Sequence, residues 1–222
     1  KESVSLVGKC YIEGYGLFDA TLDYVSVSAD GTLTPSGATF DKAVIYFPSF
    51  VKVGDKIVEV KTLSGFKEYS VSEIYVPDTV TRIAGGGGTG CFGDCFDLKV
   101  IVVGKGVTKL EQEVFCMANE VKLEKFIFKG TITDIRTLAL QRVSSYADGI
   151  PYEFNTYLSY VGSKVNVNGN IIKEAHVAKN CDISEKFAFN DANGLLSIYI
   201  EGGDTPETAL DLGQEFTSNT KT

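Results

Sequence analysis

The single histidine of the chain, His176, is its most obvious candidate for general acid–base catalysis. A serine or cysteine nucleophile would require this imidazole as its base, together with a third group that orients the ring. No G-x-S-x-G nucleophile motif occurs in the sequence, and His176 lies in the polar stretch KEAHVAKN. We therefore interpret His176 as a surface or turn residue rather than as a catalytic base.

Pairs of acidic residues offer a second kind of chemistry, because glycosidases act with two carboxylates. Glu111 with Glu113 and Asp94 with Asp97 are such pairs. They fall at variable positions of loops, where the usual role of a carboxylate is to meet solvent. A glycan-active enzyme is therefore the least favoured function for this chain.

Two loops have compositions that suit ion binding. The glycine run 85–88 would let backbone amides approach an anion, but no Lys-Ser/Thr follows it and no long helix begins there. The loop NDANG, residues 190–194, carries oxygen ligands without the full spacing of a calcium loop. We predict a flexible inserted loop at the glycines, and neither a metal site nor a cofactor in the chain.

The five cysteines are an odd number and cannot all pair within the chain. A bridge between Cys91 and Cys116 is conceivable, but small buried thiols that fill a core fit the pattern better. Cys91 and Cys95 form C-x3-C without a second ligand pair, which argues against structural zinc.

The elements that would position these residues repeat. Within residues 71–143 one phrase recurs: an apolar-x-apolar strand, a short turn, V/I-T-x-I/L, and then a small residue followed by a large one. The large residues Phe66, Phe92, Phe115 and Leu140 follow one another at intervals of 26, 23 and 25. A period in the twenties with one short strand per period is typical of a leucine-rich-repeat solenoid.

Alternation of side chains along each strand separates two faces. In the stretch LKVIVV, Leu98, Ile101 and Val103 belong to the core, whereas Val100 and Val102 point the other way. Stacking parallel strands about 4.8 Å apart turns the inward side chains into one hydrophobic column. The column must be capped, since water would otherwise reach its open end.

The repeat resembles the BspA-type leucine-rich repeats, which are found on the surfaces of gut and oral bacteria and of some parasitic protists. The first clear copy matches that family's pattern at ten positions, namely Val71, Ile74, Val76, Pro77, Val80, Thr81, Ile83, Phe92, Cys95 and Leu98. A late copy matches at Ala188, Phe189, Leu195, Ile198 and Ile200. The resemblance implies a bacterial scaffold or recognition surface without catalytic residues, located outside the cell or on its surface.

We predict an α/β leucine-rich-repeat solenoid that is dominated by short parallel strands and has little helix. Residues 1–50 form a small β-rich N-terminal cap in this interpretation, and Asp30-Gly31 indicates a hairpin turn within it. Residues 51–203 would form the solenoid, with a degenerate repeat at about 144–170. Residues 204–222 would form a C-terminal capping segment and tail, beginning with a short helix over TPETALDL.

The chain is acidic, because 29 aspartates and glutamates against 21 lysines and arginines give a net charge of −8. Nucleic acids and anionic membranes need clustered positive charge, so we expect neither as a partner. No run approaches the roughly 18 apolar residues that span a bilayer, and no secretion signal is visible at the start of the sequence. From the resemblance we expect a processed or trimmed form of an exported protein.

The residues that we single out for partner binding lie on the outward face of the strands. They are Tyr75, Val100, Val102, Ile127 and Tyr199, an apolar row larger than a solvated strand face needs. Two alternatives stay open: valine and tyrosine are good strand formers, and the N-terminal cap could fold over this row. In the second case the tyrosine-rich stretch 146–160 becomes the next candidate.

These observations favour a non-enzymatic cell-surface or secreted module that binds a protein or a glycan, as in adhesion. The alternative is a structural spacer or self-association domain of a larger surface protein, which would form homo-oligomers. A solenoid fold by itself does not choose between these functions, because one fold serves many sites.

Overall fold

The computed structural model describes residues 2–37, 42–87, 90–146, 149–165, 171–183 and 197–201. Several sequence predictions lie outside these residues: the core positions Ala188, Phe189 and Leu195, the loop 190–194 and the C-terminal segment 204–222. The described residues form a solenoid of about five turns with parallel strands and almost no helix. The predicted fold class is confirmed.

The elements of the described residues are one helix and a series of strands, most of them short. The helix is α1 (Glu2–Ser5), and the strands are β1 (Lys9–Ile12), β2 (Gly16–Asp19), β3 (Val25–Val27), β4 (Thr32–Pro35), β5 (Val44–Tyr46), β6 (Phe50–Val53), β7 (Lys56–Glu59), β8 (Thr62–Leu63), β9 (Glu73–Val76), β10 (Arg82–Ile83), β11 (Val100–Val103), β12 (Lys109–Leu110), β13 (Val121–Leu123), β14 (Lys125–Ile135), β15 (Val143–Ser145), β16 (Tyr152–Val161), β17 (Glu174–Ile183) and β18 (Ser197–Ile200).

The largest sheet runs along one side of the solenoid in the order β18-β17-β16-β14-β11-β9-β5. Its pairings are parallel, as stacking of successive repeats requires. At its centre Val102 lies opposite Tyr75 on one neighbouring strand and opposite Ile127 on the other. The long strand β14 turns a corner of the solenoid, because it pairs first with β11 and then with β12.

A second column of strands follows the turn in each repeat, where the V/I-T-x-I/L phrase lies. Strands β4, β8 and β10 pair in parallel in this column. Strands β13 and β15 form a separate parallel pair. Each repeat therefore contributes hydrogen bonds to its neighbours at more than one corner.

The main core fills the space between these columns. Ile74, Ile101 and Phe126 project into it from three successive strands and are fully buried. The large residues that recur along the sequence, Phe66, Phe92, Phe115 and Leu140, are also buried in this core. Phe92 stacks on Phe66 and on Phe115 with ring centroids 5.7 Å apart in both pairs. The large positions of three successive repeats thus form one continuous stack of rings.

The N-terminal segment is β-rich, as predicted, and contains two antiparallel hairpins before the main sheet begins. Strands β3 and β4 join around Asp30-Gly31, and Gly31 adopts a φ of 85°, which a glycine accepts without strain. Leu33 of β4 is buried in the main core, so this hairpin covers the N-terminal end of that core. The other hairpin, β1–β2, packs against the outward face of the main sheet.

Candidate partner-binding face

The outward face of the main sheet has the alternation that the sequence predicts. Tyr75, Val102 and Ile127 lie side by side in register on β9, β11 and β14. Val100 occupies the adjacent row, between Glu73 and Lys125. None of these side chains belongs to the main core, because they form a separate cluster on the other side of the sheet.

The β1–β2 hairpin covers most of this face. Cys10 and Ile12 of β1 are fully buried against it, and Tyr15 and Phe18 pack along its edge. The predicted row is exposed by only 7% at Tyr75, 6% at Val100, 0% at Val102 and 9% at Ile127. Of the alternatives that the sequence leaves open, the structure shows the one in which the N-terminal segment folds over these four residues, and removing an apolar row of this size from water is favourable. Their role in partner binding stays a prediction.

Aromatic rings fill the space beneath the hairpin. Tyr46 and Tyr75 stack with centroids 4.4 Å apart, and Phe18 of the hairpin stacks on Tyr46 at 4.9 Å. The Tyr75 hydroxyl donates a hydrogen bond to Glu73 Oε2 at 3.3 Å. Burial, with the nearby Glu73 carboxylate, raises the pKa of Tyr75 well above its usual value, so this phenol stays protonated.

Polar contacts fix the hairpin at its turn. Asp78 Oδ2 accepts a hydrogen bond from the backbone N–H of Glu13 at 2.9 Å, and Asp78 N–H donates to the Tyr11 carbonyl at 3.0 Å. The Lys105 ammonium pairs with the Glu13 carboxylate, and Lys125 Nζ donates to the Tyr15 hydroxyl at 3.2 Å. These contacts come from three successive turns of the solenoid, so they set the position of the hairpin along its axis.

Among the described residues, the cluster beneath the hairpin does not extend to β16, β17 or β18. Tyr199 on β18 is 51% exposed and lies opposite His176 on β17, with the two rings stacked at 4.7 Å. Leu158 pairs with Val177, which places Tyr157 beside His176 on the next strand, and Tyr157 is 50% exposed. We call Tyr157, His176 and Tyr199 the open ring row.

Two carboxylates accompany the open ring row. The Tyr157 hydroxyl donates a hydrogen bond to the Glu201 carboxylate, which raises the pKa of Tyr157. Glu174 lies two residues before His176 on the same strand face, and its Oε2 is 3.7 Å from His176 Nε2. Of the five residues predicted for partner binding, Tyr199 is the one that the structure leaves exposed.

The neighbourhood of Tyr157 and His176 was not predicted from the sequence. The signal for Tyr157 was present, because exposed and buried residues alternate from Phe154 to Ser159 in β16. The position of Tyr157 beside His176 depends on how β17 pairs with β16, and residues 166–170 between these strands carry no repeat phrase in the sequence. Of the other tyrosines in the predicted stretch, Tyr152 packs against Phe126, whereas Tyr146 is exposed.

Two of the four acidic residues considered for glycosidase chemistry, Glu111 and Asp94, have structural partners. Glu111 forms a two-pronged ion pair with Arg82, with nitrogen–oxygen distances of 2.8 and 2.9 Å. Asp94 Oδ1 accepts a hydrogen bond from Ala118 N–H at 2.7 Å. Both contacts connect one repeat to the next.

A groove of about 570 Å³ is lined in part by Gly85 and Gly86. Its lining includes the cations of Arg82, Lys109 and Arg136. Arg82 pairs with Glu111, and both Lys109 and Arg136 pair with Asp134. Since each of these cations already has a carboxylate partner, the groove gives no support to an anion site.

The five cysteines are unpaired, and four of them are buried. Cys95 Sγ donates to the Phe66 carbonyl at 3.1 Å, and burial raises the pKa of Cys95 to about 12. The half-exposed Cys116 donates to Gln141 Oε1 rather than bonding to Cys91.

Among the described residues, no three histidine, cysteine or acidic side chains converge in a way that could hold a metal ion. The same residues include no helix of the length and hydropathy needed to cross a bilayer.

Comparison with known proteins identifies the repeat. The family model for the BspA type leucine rich repeat region matches residues 62–196, in six copies. No curated protein sequence and no solved structure matches the chain significantly. Because the match spans more than half of the 222 residues and agrees with the stacked turns of the structure, the chain belongs to the BspA type leucine rich repeat family.

Proposed function

We propose that this chain is a non-enzymatic recognition module that binds a protein or glycan partner at the open end of its strand face. The observation that carries the proposal is the open ring row, in which Tyr157 and Tyr199 are about half exposed on either side of His176. Leucine-rich repeats suggest a protein-interaction module, and the ring row gives that general role a defined surface. A location on the cell surface or outside the cell is part of the same proposal.

Aromatic side chains are suited to this role because they bury a large area when a partner covers them and lose little conformational freedom. Two of the three rings stack on each other, so their positions are set before a partner arrives. For the covered residues Tyr75, Val100, Val102 and Ile127, binding would first require displacement of the hairpin. We therefore place the binding site at the Tyr199 end of the face, where no displacement is needed.

The test is a selection against two forms of the protein. A displayed library of random peptides and an array of defined glycans are each probed with the wild-type chain and with a Tyr157→Ala/Tyr199→Ala variant. We expect ligands whose affinity falls at least tenfold in the double variant. Tyr146→Ala is the matched control, because Tyr146 is also an exposed tyrosine but lies outside the open ring row.

Both variants must have the circular dichroism spectrum and urea midpoint of the wild-type chain. Ligands that bind the double variant as well as the wild type would place recognition elsewhere. The absence of any ligand in both selections would contradict a recognition function for this face.

A self-association domain is the second candidate, and one observation favours it. Tyr11 and Leu17 lie opposite each other on the outer surface of the hairpin and are 38% and 56% exposed. A second copy of the chain could bury this apolar pair. Sedimentation velocity over a hundredfold concentration range, compared between wild type and Leu17→Glu, tests the idea: a monomer throughout removes it.

A further inference from the structure

We infer that the chain has a second binding site, in which a neutral oligosaccharide lies in the groove lined by Gly85 and Gly86. We call this groove the corner groove, because its lining includes Arg82 of β10 and Lys109 of β12, at the turn that follows each main-sheet strand. The inference goes beyond the proposed function, since the corner groove shares no residue with the open ring row.

The size and lining of the corner groove indicate a polar ligand. Its volume of about 570 Å³ falls within the roughly 300–1,000 Å³ of small-ligand sites. Such sites are usually lined mainly by apolar side chains. Here the lining side chains are the hydroxyls of Thr81 and Thr108, the amide of Gln112 and charged groups. A ligand rich in hydroxyl groups suits this surface better than an apolar one.

The charges at the corner groove are held in pairs within the chain. Arg82 donates to both oxygens of Glu111, at 2.8 and 2.9 Å. Arg136 donates to Asp134 Oδ2 at 2.9 Å, and Lys109 Nζ lies 3.5 Å from the same oxygen. An anionic ligand would have to compete with these carboxylates for their cations. A cationic ligand would meet three cations that share two carboxylates, so a neutral ligand is the one that leaves the pairs intact.

These pairs leave hydrogen-bonding capacity for a ligand. A guanidinium has more N–H donors than Arg82 uses on Glu111, and each oxygen of an ionised carboxylate can accept more than one hydrogen bond. The side chains of Thr81 and Thr108 are exposed, and no described residue bonds to either hydroxyl. Neighbouring hydroxyls of a sugar ring both donate and accept, so they match a surface that presents donors and acceptors side by side.

The charged groups are fixed before a ligand arrives. The Arg136 guanidinium lies 3.7 Å from the centre of the Tyr160 ring, and its Nε lies 2.8 Å from Asp134 Oδ1. Asp134 is only 8% exposed, so its carboxylate has little room to move. The two-pronged pair restrains Arg82 in a similar way. Binding then orders fewer long side chains, which lowers its entropic cost.

The groove crosses successive turns at equivalent positions. Thr81 and Thr108 hold the same place of the V/I-T-x-I/L phrase in neighbouring repeats. Arg82 and Lys109 hold the next place, and a third turn contributes Arg136, directly after the phrase I-T-D-I. Neighbouring strands lie about 4.8 Å apart, close to the length of one sugar in an extended chain. Consecutive sugars would therefore meet similar groups on consecutive turns, which favours an extended oligosaccharide along the solenoid axis.

The probes are three neutral, extended hexasaccharides: cellohexaose, mannohexaose and xylohexaose. The disaccharide of each tests the dependence on length, and hexagalacturonate is the acidic comparison. Binding is measured by calorimetric titration at pH 7 with the wild-type chain and with Thr81→Val/Thr108→Val, Thr131→Val and Tyr157→Ala/Tyr199→Ala variants. Valine keeps the branched shape of threonine and removes the hydroxyl. Thr131→Val is the matched control, because Thr131 is also exposed but does not line the corner groove.

We expect at least one neutral hexasaccharide to bind, at least tenfold more tightly than its disaccharide and than hexagalacturonate. Thr81→Val/Thr108→Val should weaken this binding at least fivefold, whereas Thr131→Val should leave it unchanged. Each variant must have the circular dichroism spectrum and urea midpoint of the wild-type chain.

Three results would overturn the inference. They are the absence of binding by all three neutral hexasaccharides, tighter binding of hexagalacturonate, and equal effects of the two threonine variants. A loss of binding in Tyr157→Ala/Tyr199→Ala without a loss in Thr81→Val/Thr108→Val would also overturn it, because the oligosaccharide would then lie on the open ring row. In that case the proposed function stands and the second site does not.

Discussion

The Asp78 carboxylate accepts a hydrogen bond from the backbone N–H of Lys105, a residue 27 positions later in the chain, at 2.9 Å. Its second oxygen accepts from the backbone N–H of Glu13 at the same distance. One side chain therefore joins two successive turns of the solenoid to the tip of the hairpin that covers them. The cover and the repeats share an anchor, so the stability of one depends on the other.

Replacing Asp78 by alanine should destabilise the chain by about 1–3 kcal/mol, because hydrogen bonds to a charged acceptor contribute more than those between neutral groups. The free energy of unfolding, measured by urea denaturation at pH 7, gives the value directly. Asp55→Ala is the control, since Asp55 is exposed at the β6–β7 turn. A similar loss in both variants would show that Asp78 does not have this anchoring role.

The hairpin itself is predicted to keep the central strand face dry. Ile12 of the hairpin is fully buried against this face, and Tyr11, the preceding residue, is 38% exposed. Ile12→Asp would place a carboxylate in an apolar site, where an unpaired charge costs several kcal/mol, so the hairpin should detach. We expect increased fluorescence of a hydrophobic dye, because Tyr75 and Val102 become exposed.

Tyr11→Asp is the matched control for that variant, because it adds the same charge on the outer surface of the same strand. Dye fluorescence should stay at the wild-type level in Tyr11→Asp. If Ile12→Asp also leaves the dye signal unchanged while circular dichroism shows a folded chain, the hairpin does not cover the face in solution.

The phenylalanine stack should be the most sensitive part of the core. Phe92 is fully buried between Phe66 and Phe115. It also packs edge-to-face with Phe47, with ring centroids 6.0 Å apart. Truncation to alanine leaves a cavity between repeats, and we expect a loss of about 3–5 kcal/mol in the free energy of unfolding. The nearby Phe96 is 48% exposed, and Phe96→Ala should change stability by less than about 0.5 kcal/mol. Equal losses at the two positions would contradict the assigned stack.

The core could be predicted from sequence because stacked repeats need side chains of similar volume at equivalent positions. Phe66, Phe92 and Phe115 recur at nearly constant intervals, and residues at nearly constant intervals along a solenoid occupy equivalent places. Alternation likewise assigns Val100 and Val102 to the outward face, and in the structure both lie in the cluster on that side of the sheet, outside the main core.

The cover could not be predicted in the same way, because alternation separates two faces of a strand without saying what lies on either. The stretch KCYIEGYGLF holds the required signal, since Cys10 and Ile12 alternate with exposed residues as a half-buried strand does. Nothing in that pattern says which surface the strand buries. The contact of Glu13 with Asp78 and with Lys105 decides it, and these residues are 65 and 92 positions away in the chain.

Buried thiols predict a loss of stability in alkali. Burial raises the pKa of Cys95 to about 12, and it also raises the pKa of Cys91, so neither ionises readily in the fold. In the unfolded chain a thiol has a pKa of about 8.5 and releases its proton first. The unfolded state then binds fewer protons than the native state, and the free energy of unfolding falls as pH rises. The contribution is intact below about pH 8.5 and is lost progressively towards pH 12.

Each such thiol should contribute about 1.4 kcal/mol per pH unit to this decline once its unfolded form is ionised. The test is urea denaturation of the wild-type chain and of Cys95→Ala at intervals between pH 7.5 and pH 10.5. The quantity compared is the slope of the free energy of unfolding against pH. The absolute stability is not compared, because Cys95→Ala also loses the hydrogen bond to the Phe66 carbonyl. The slope in Cys95→Ala should be shallower by about the contribution of one thiol. Cys116→Ala is the control, because Cys116 is half-exposed and its removal should alter the slope less. If Cys95→Ala and the wild-type chain decline in parallel, the Cys95 thiol ionises as easily in the fold as outside it, and its place in the dry core of the repeats is incorrect.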